Sequence, residues 1–127
     1  MTPPPVLLHH GTTRQRATRI VAGGPDPDFV EPHGTRAEHF STAYADPRLR
    51  HMGHPEDYAR GKAANFPTEG GPVILELEVP AWVVDVVLAD AIGAGLALSG
   101  EVRFDPGVGL EDLLRVWPTI PKRIIPL

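Results

Sequence analysis

Apolar and polar positions alternate most cleanly over residues 73–79, VILELEV. Val73, Leu75, Leu77 and Val79 fall on one side, and Ile74, Glu76 and Glu78 on the other. That period of two predicts a strand with one buried face. Near the start, Val6–His9 reads as a short first strand. Thr12 or Thr13 can N-cap a helix, because a hydroxyl accepts a bond from a free first-turn N–H. The helix is expected to run to about Ala22, with Ala17, Ile20 and Val21 on its inner face. Gly23-Gly24 should end it, since glycine tolerates the left-handed conformation just past a helix.

The rest of the chain extends the pattern. Residues 25–37 are rich in proline and glycine and read as loop. EHFST is a short apolar-polar run that suits a strand. A second helix is expected at Pro55–Asn65, with Pro55 near its first turn, and PTEGGP (67–72) is a turn. AWVVDVVLADA fits either a strand or a short helix, because its periodicity does not decide. GEVRF (100–104) is a strand. GLEDLLRVW is a short helix with Leu110, Leu113, Leu114 and Trp117 inward, and KRIIPL is a last edge strand. Helices fall mainly early and strands mainly late, which predicts an α+β fold rather than a doubly wound sheet.

Composition narrows the classes. The 127 residues fit one domain, 1–127, long enough to bury a core without staples. A net charge of −4 argues against a broad electrostatic footprint for nucleic acid. The absence of cysteine excludes disulfides and thiolate-bound zinc. The longest apolar stretch, 79–98, is interrupted by Pro80, Asp85, Asp90, Gly93 and Gly95, so no membrane span or membrane partner is expected. MTPPP with only Val6-Leu7-Leu8 behind it does not read as a signal peptide. A cytoplasmic protein, or a toxin-like effector delivered by other means, is the expectation.

Candidate chemistry begins with six histidines. His51 and His54 stand three apart, but Gly53 and Pro55 break the helix they would share, and His33 and His39 add no ligand spacing. No metal is expected. Ser41 and Ser99 are the two serines, and no G-x-S-x-G surrounds either. AGGPDP, EGGP and GAGLALSG lack the phosphate-loop pattern. Trp82 and Trp117 read as core anchors. Glu111-Asp112 suit a helix first turn, where the dipole favours carboxylates, and Glu76 suits a solvated strand face.

His10-Gly11-Thr12 is set apart by the spacing of the residues downstream of it. Ile20 lies eight residues after Thr12, and Gly24 four after Ile20. HGT, an amphipathic helix ending in Ile and a glycine exit together resemble the first motif of the ADP-ribosyltransferase superfamily. The branch is the one with poly(ADP-ribose) polymerase-like and RNA 2′-phosphotransferase-like members. EHFSTAYADP is similar to the second motif. His39 stands where the family often has tyrosine and the phosphotransferase branch has histidine, with Phe40 one step on. An aromatic in the next helix commonly stacks on nicotinamide; Tyr58, in DYARGKA, is the candidate, with Tyr44 behind it. PVILELEVP is similar to the family's long apolar strand. Glu101 in SGEVRF best fits the third motif's glutamate, with Glu111 and Glu76 as the other candidates.

The resemblance covers most of the chain, in order. It implies an ADP-ribosyltransferase-like split β-sheet core with two main helices and NAD, as substrate, in a cleft between two small sheets. His10 would hold a ribose and the Gly11 backbone would grip the nicotinamide carboxamide. Thr12 would complete that amide's bonding or cap the helix. Phe40 or Tyr58 would stack on the ring, and Ser41 belongs to the same binding set. Glu101 would bond the nicotinamide-ribose 2′-OH and, with His39 as the second catalytic position, stabilise the oxocarbenium-like charge. The acceptor of ADP-ribose is left open: a protein side chain, a nucleic-acid end or a small molecule, with water making a glycohydrolase. Two other readings share the fold. One is an RNA 2′-phosphotransferase-like enzyme, whose basic pocket would draw on Arg14, Arg16, Arg19, Arg36 and Arg103. The other is an inactive nucleotide-binding or interaction module. His9, alternating with His10, is expected to face outward as scaffold.

Overall fold

A computed structural model describes residues 3–25, 38–42, 44, 48, 55–93 and 101–127; for Glu38, His39, residues 88–93 and Glu101 it describes the backbone. The chain is α+β. Its elements run β1 (Val6–Thr13), α1 (Arg14–Gly23), β2 (Glu38–Ser41), α2 (Pro55–Asn65), β3 (Pro72–Val79), α3 (Ala81–Gly93), β4 (Glu101–Phe104), α4 (Leu110–Val116), a 3-10 turn (Trp117–Thr119) and β5 (Lys122–Pro126). The strands form one antiparallel sheet in the order β4-β2-β1-β3-β5.

The sheet's pairing is uneven. β1 pairs with β3 along its whole length, from Val6↔Val79 to Thr13↔Pro72. β2 pairs with β4 over four residues, from Glu38↔Phe104 to Ser41↔Glu101. Between these blocks, β1 and β2 share one registered pair among the described residues, His9↔Ser41. The two small sheets implied by the resemblance are therefore one sheet with a narrow seam at its centre. Four helices flank it, where two main helices were expected.

The two faces of the sheet differ. One carries Leu8 with Leu75, Leu77 and Val79, closed over by Val83, Val84, Val87, Leu113 and Trp117. Ile20 and Val21 of α1 pack against the same core, as their spacing predicts. The opposite face has a smaller cluster of Ile74, Tyr44 and Ala59, so α2 is its cover. Both faces of β3 are thus partly dry, and Ile74 is as fully buried as Leu75.

Local chemistry explains the boundaries. β1 runs on to Thr13, beyond the expected end at His9, because β3 offers partners throughout. Thr13 caps α1, its Oγ1 accepting from Arg16 N at 3.4 Å. Gly24 ends α1 at φ 80°, and its N–H reaches Ile20 O. AWVVDVVLADA resolves as helix: Val83 N–H and Val84 N–H both donate to Pro80 O, and Val83, Val84 and Val87 turn one stripe inward. Trp82, expected in the core, lies on the other side of that helix and is 51% exposed. Leu114, expected inward, is instead exposed, while Leu110, Leu113 and Trp117 are buried as predicted. Lys122 donates from Nζ to the carbonyls of Trp117 and Ile120, satisfying the end of the 3-10 turn. Residues 26–37 and 94–100, which include Arg36 and Ser99, lie outside the described residues.

The turn at 66–71 completes the start of α1. Its carbonyls accept from Arg14 N–H and Gln15 N–H, and Glu69 Oε1 accepts from Thr13 Oγ1–H at 2.9 Å and Arg16 Nε–H at 2.8 Å. α1 has no acid in its own first turn, so Glu69 supplies the negative charge that the helix dipole favours there. The Arg16 hydrogen bond holds the Glu69 carboxyl below its ordinary value of 4.5; partial burial opposes this, and the Thr13 bond assists it. A depressed carboxylate stabilises the fold above its unfolded value, and that contribution is lost as pH falls through the folded value. Glu69→Gln is therefore expected to lower the urea midpoint at pH 7, and the gap to wild type should narrow as the pH falls through the acid range. A gap of equal size at neutral and acid pH would refute this role for Glu69.

Candidate functional site

The three stretches carrying the resemblance are far apart in sequence and adjacent in the sheet. His10-Gly11-Thr12 lies on β1, His39-Phe40-Ser41 on β2, and Glu101 opens β4. β2 is the common neighbour, with Ser41 opposite both His9 and Glu101. Past His9, towards Gly11 and Thr12, β1 has no registered β2 partner among the described residues. The register sets His10 with Leu75 on the core face, where Phe40 meets it, and sets His9, Ser41 and the position of Glu101 on the opposite face.

His10 shares a pleat side with Leu75 and stacks, tilted, on Phe40 at 5.5 Å between ring centroids. It is half-buried. Phe40 is 3% exposed and meets Phe104 edge-on at 5.6 Å. Its ring is spent on the core, so Phe40 shapes the site by holding His10. Thr12 and Ser41 are buried as well, and Ser41 Oγ accepts from Tyr44 N–H at 3.1 Å. Tyr58, on α2, is 65% exposed and lines a shallow surface depression with Asp57, Gly61, Lys62 and Asn65. The His39 backbone pairs with Arg103, and the Glu101 backbone with Ser41.

Gly11 has a structural duty as well as a candidate functional one. A Cβ there would stand 1.8 Å from Pro55 O and 3.0 Å from Ala59 N. The first turn of α2 rests directly on the β1 backbone, an approach that requires glycine.

The largest departure from expectation concerns the histidine pair. His9 is not the outward neighbour; it is 2% exposed. Its Nε2 lies 2.9 Å from Glu76 Oε2, and its ring is 4.9 Å from that of Tyr44. Glu76 is not a solvated strand-face carboxylate either. It is 19% exposed and also holds Arg123 Nη2 through Oε1 at 3.2 Å. Tyr44 in turn donates its hydroxyl to Glu56 of α2. Strand alternation separates His9 from His10 but does not say which side is dry. That is decided by α2 and Tyr44, whose positions are tertiary.

Glu111, another candidate for the glutamate role, accepts from Gly107 N–H with both oxygens, at 2.7 and 3.0 Å, which holds its carboxyl below the ordinary range. It orders the turn before α4 and lies outside the seam. Among the described residues, no group of three or more His, Asp or Glu is placed to hold a metal. His33, His51 and His54 lie outside those residues. No described helix is long and apolar enough to cross a membrane. No protein-family model, curated protein or solved structure matches the chain.

Proposed function

We propose that the protein is an NAD-dependent ADP-ribosyltransferase whose site is the β1–β2–β4 seam. The observation that carries this reading is the adjacency of HGT, HFS and Glu101 on three neighbouring strands. In this reading the Gly11–Thr12 backbone binds the nicotinamide carboxamide, and His10, steadied by Phe40, bonds a ribose hydroxyl. Glu101, with His39 beside it in the register, takes the nicotinamide-ribose 2′-OH, and because the register sets both on the face opposite His10, the ribose must reach across the seam rather than lie on one face. A carboxylate there stabilises the positive charge that develops as the glycosidic bond breaks, and nicotinamide leaves with the bonding pair. ADP-ribose then passes to an acceptor hydroxyl, amine or carboxylate, or to water. Tyr58, exposed on the helix that covers Gly11, is an outer contact for nicotinamide or acceptor. Arg16, Arg103, Arg115 and Arg123 each stand against a carboxylate, which favours NAD chemistry over a basic RNA 2′-phosphate pocket.

Incubation with NAD, with free nicotinamide and the thermal midpoint both monitored, tests the reading. Wild type should release nicotinamide, and Glu101→Gln should do so about a hundredfold more slowly, the usual scale for losing one charge-stabilising group. Unchanged release from Glu101→Gln moves the glutamate role elsewhere. Neither release nor an NAD-dependent rise in the midpoint would sink the transferase reading. Removal of a 2′-phosphate from an RNA end would then favour the phosphotransferase alternative.

A further inference from the structure

The register places five residues in one row across all five strands. Glu101 on β4 faces Ser41 on β2, Ser41 faces His9 on β1, His9 faces Glu76 on β3, and Glu76 faces Arg123 on β5. Paired residues of an antiparallel sheet lie on the same face. From Ser41 to Arg123 the row therefore lies on the side covered by α2, with the Glu101 backbone at its register end. From Arg123 to His9 it is bonded through: Arg123 to Glu76 at 3.2 Å and Glu76 to His9 at 2.9 Å. At the next step, Tyr44 packs on the His9 ring and donates its N–H to Ser41 Oγ. The His9↔Ser41 pair is also the one registered link, among the described residues, between the β1-β3-β5 block and the β2-β4 block.

We propose that His9 is a positioning residue. Held by Glu76, it pins the seam and sets where the β2-β4 block, with Glu101, sits relative to His10-Gly11-Thr12. This rests on the transferase reading for its catalytic consequence but not for its structural one. The physical case is that neither block can set the seam by itself. Four ladder pairs fix Glu101 to β2 and eight fix HGT to β3, whereas among the described residues one ladder pair joins the two blocks, with Phe40 packed on His10 on the core face. The core packing steadies one face of that junction, and on the face covered by α2 the hold falls to His9 and the groups around it. Here a buried imidazole is gripped by a carboxylate that is itself anchored, the arrangement that fixes ring orientation wherever histidine geometry matters. His9 touches neither acceptor nor NAD in this scheme; it acts through Ser41 and the strand behind it.

The test uses the full chain and compares Glu76→Gln and His9→Asn with Ile74→Val, a packing change on the same face of β3. Amide hydrogen exchange is measured at Phe40 and Val102 in one block and at Leu75 and Ile124 in the other. In Glu76→Gln and His9→Asn, exchange at Phe40 and Val102 should rise about tenfold more than at Leu75 and Ile124, the factor for losing one charge-assisted bond. Ile74→Val should show no such bias. Nicotinamide release should fall about tenfold in kcat in both pin variants, with KM for NAD unchanged, because alignment is lost while binding groups remain. Exchange rising equally in both blocks, or in neither, overturns the proposal. So does an unchanged kcat in an active protein. If wild type releases no nicotinamide, the transferase reading fails and the exchange bias alone decides whether His9 pins the seam.

Discussion

Gly11→Ala is expected to cost about 3–5 kcal/mol, at or above the usual cost of forcing atoms into a filled interior. The added Cβ meets Pro55 O at 1.8 Å and Pro55 C at 2.8 Å. These are backbone atoms of α2's first turn, so no rotamer change relieves the overlap. Relief requires α2 to lift from β1, which exposes Ala59 and Ile74 and loosens Tyr44, the contents of the smaller core. For a domain whose whole stability is about 5–15 kcal/mol, such a loss is a large fraction. The midpoint of thermal unfolding should fall by more than about 10 °C. Gly61→Ala is the matching control on the same helix. A Cβ at Gly61 meets nothing within 4 Å, so alanine's helix preference should stabilise by about 0.5–1 kcal/mol. If Gly11→Ala unfolds within about 3 °C of wild type, the seating of α2 on β1 is wrong. A variant that stays folded but no longer shifts with NAD would separate Gly11's backbone role from its structural one.

Phe104→Ala should destabilise by about 3–5 kcal/mol, the range for removing a buried aromatic ring. Phe104 is fully buried and meets Phe40 edge-on at 5.6 Å. It anchors β4, an edge strand four residues long whose sheet partner is β2. Removing the ring leaves a void beneath the block that carries Glu101, and Phe40 loses one of its two aromatic neighbours, His10 being the other. Guanidinium unfolding gives the size of the loss, and Phe104→Leu, which refills most of the space, should recover more than half of it. A cost below about 1.5 kcal/mol would mean the site collapses freely and that β4 is held by something other than this ring. In an active protein, Phe104→Leu should lower kcat before it lowers NAD affinity, because it moves Glu101 and not the HGT strand.

Much of the fold is legible in local pattern. Thr13, the Ile20 and Val21 spacing and Gly24 mark α1 almost to the residue, because capping and left-handed exits depend on side chains within one turn. Pro55 opens α2, and VILELEV forms a strand of the expected facing. The departures share a cause. Trp82 suits the core by its size, yet Val83, Val84 and Val87 form the inward stripe and leave it 51% exposed. Glu76 suits solvent by its charge, yet a buried histidine and an arginine flank it. Residue type proposes a side; packing against other elements assigns it.

The candidate site divides the same way. HGT, HFS and Glu101 are recognisable as separate short stretches, since each candidate is a run of adjacent residues. That β2 lies between β1 and β4, and that Ser41 faces both His9 and Glu101, depends on pairings between residues tens of positions apart. Alone, the sequence determined the α+β class and most element boundaries and nominated the candidate groups, because these depend on neighbours within a turn or a strand. Tertiary structure alone decided that His9 is the buried histidine, that Glu76 and Arg123 hold it, and that Gly11 is needed beneath Pro55. Each of these is a contact across the sheet or between helix and sheet, and a strand's periodicity separates its two faces without saying what will cover either one.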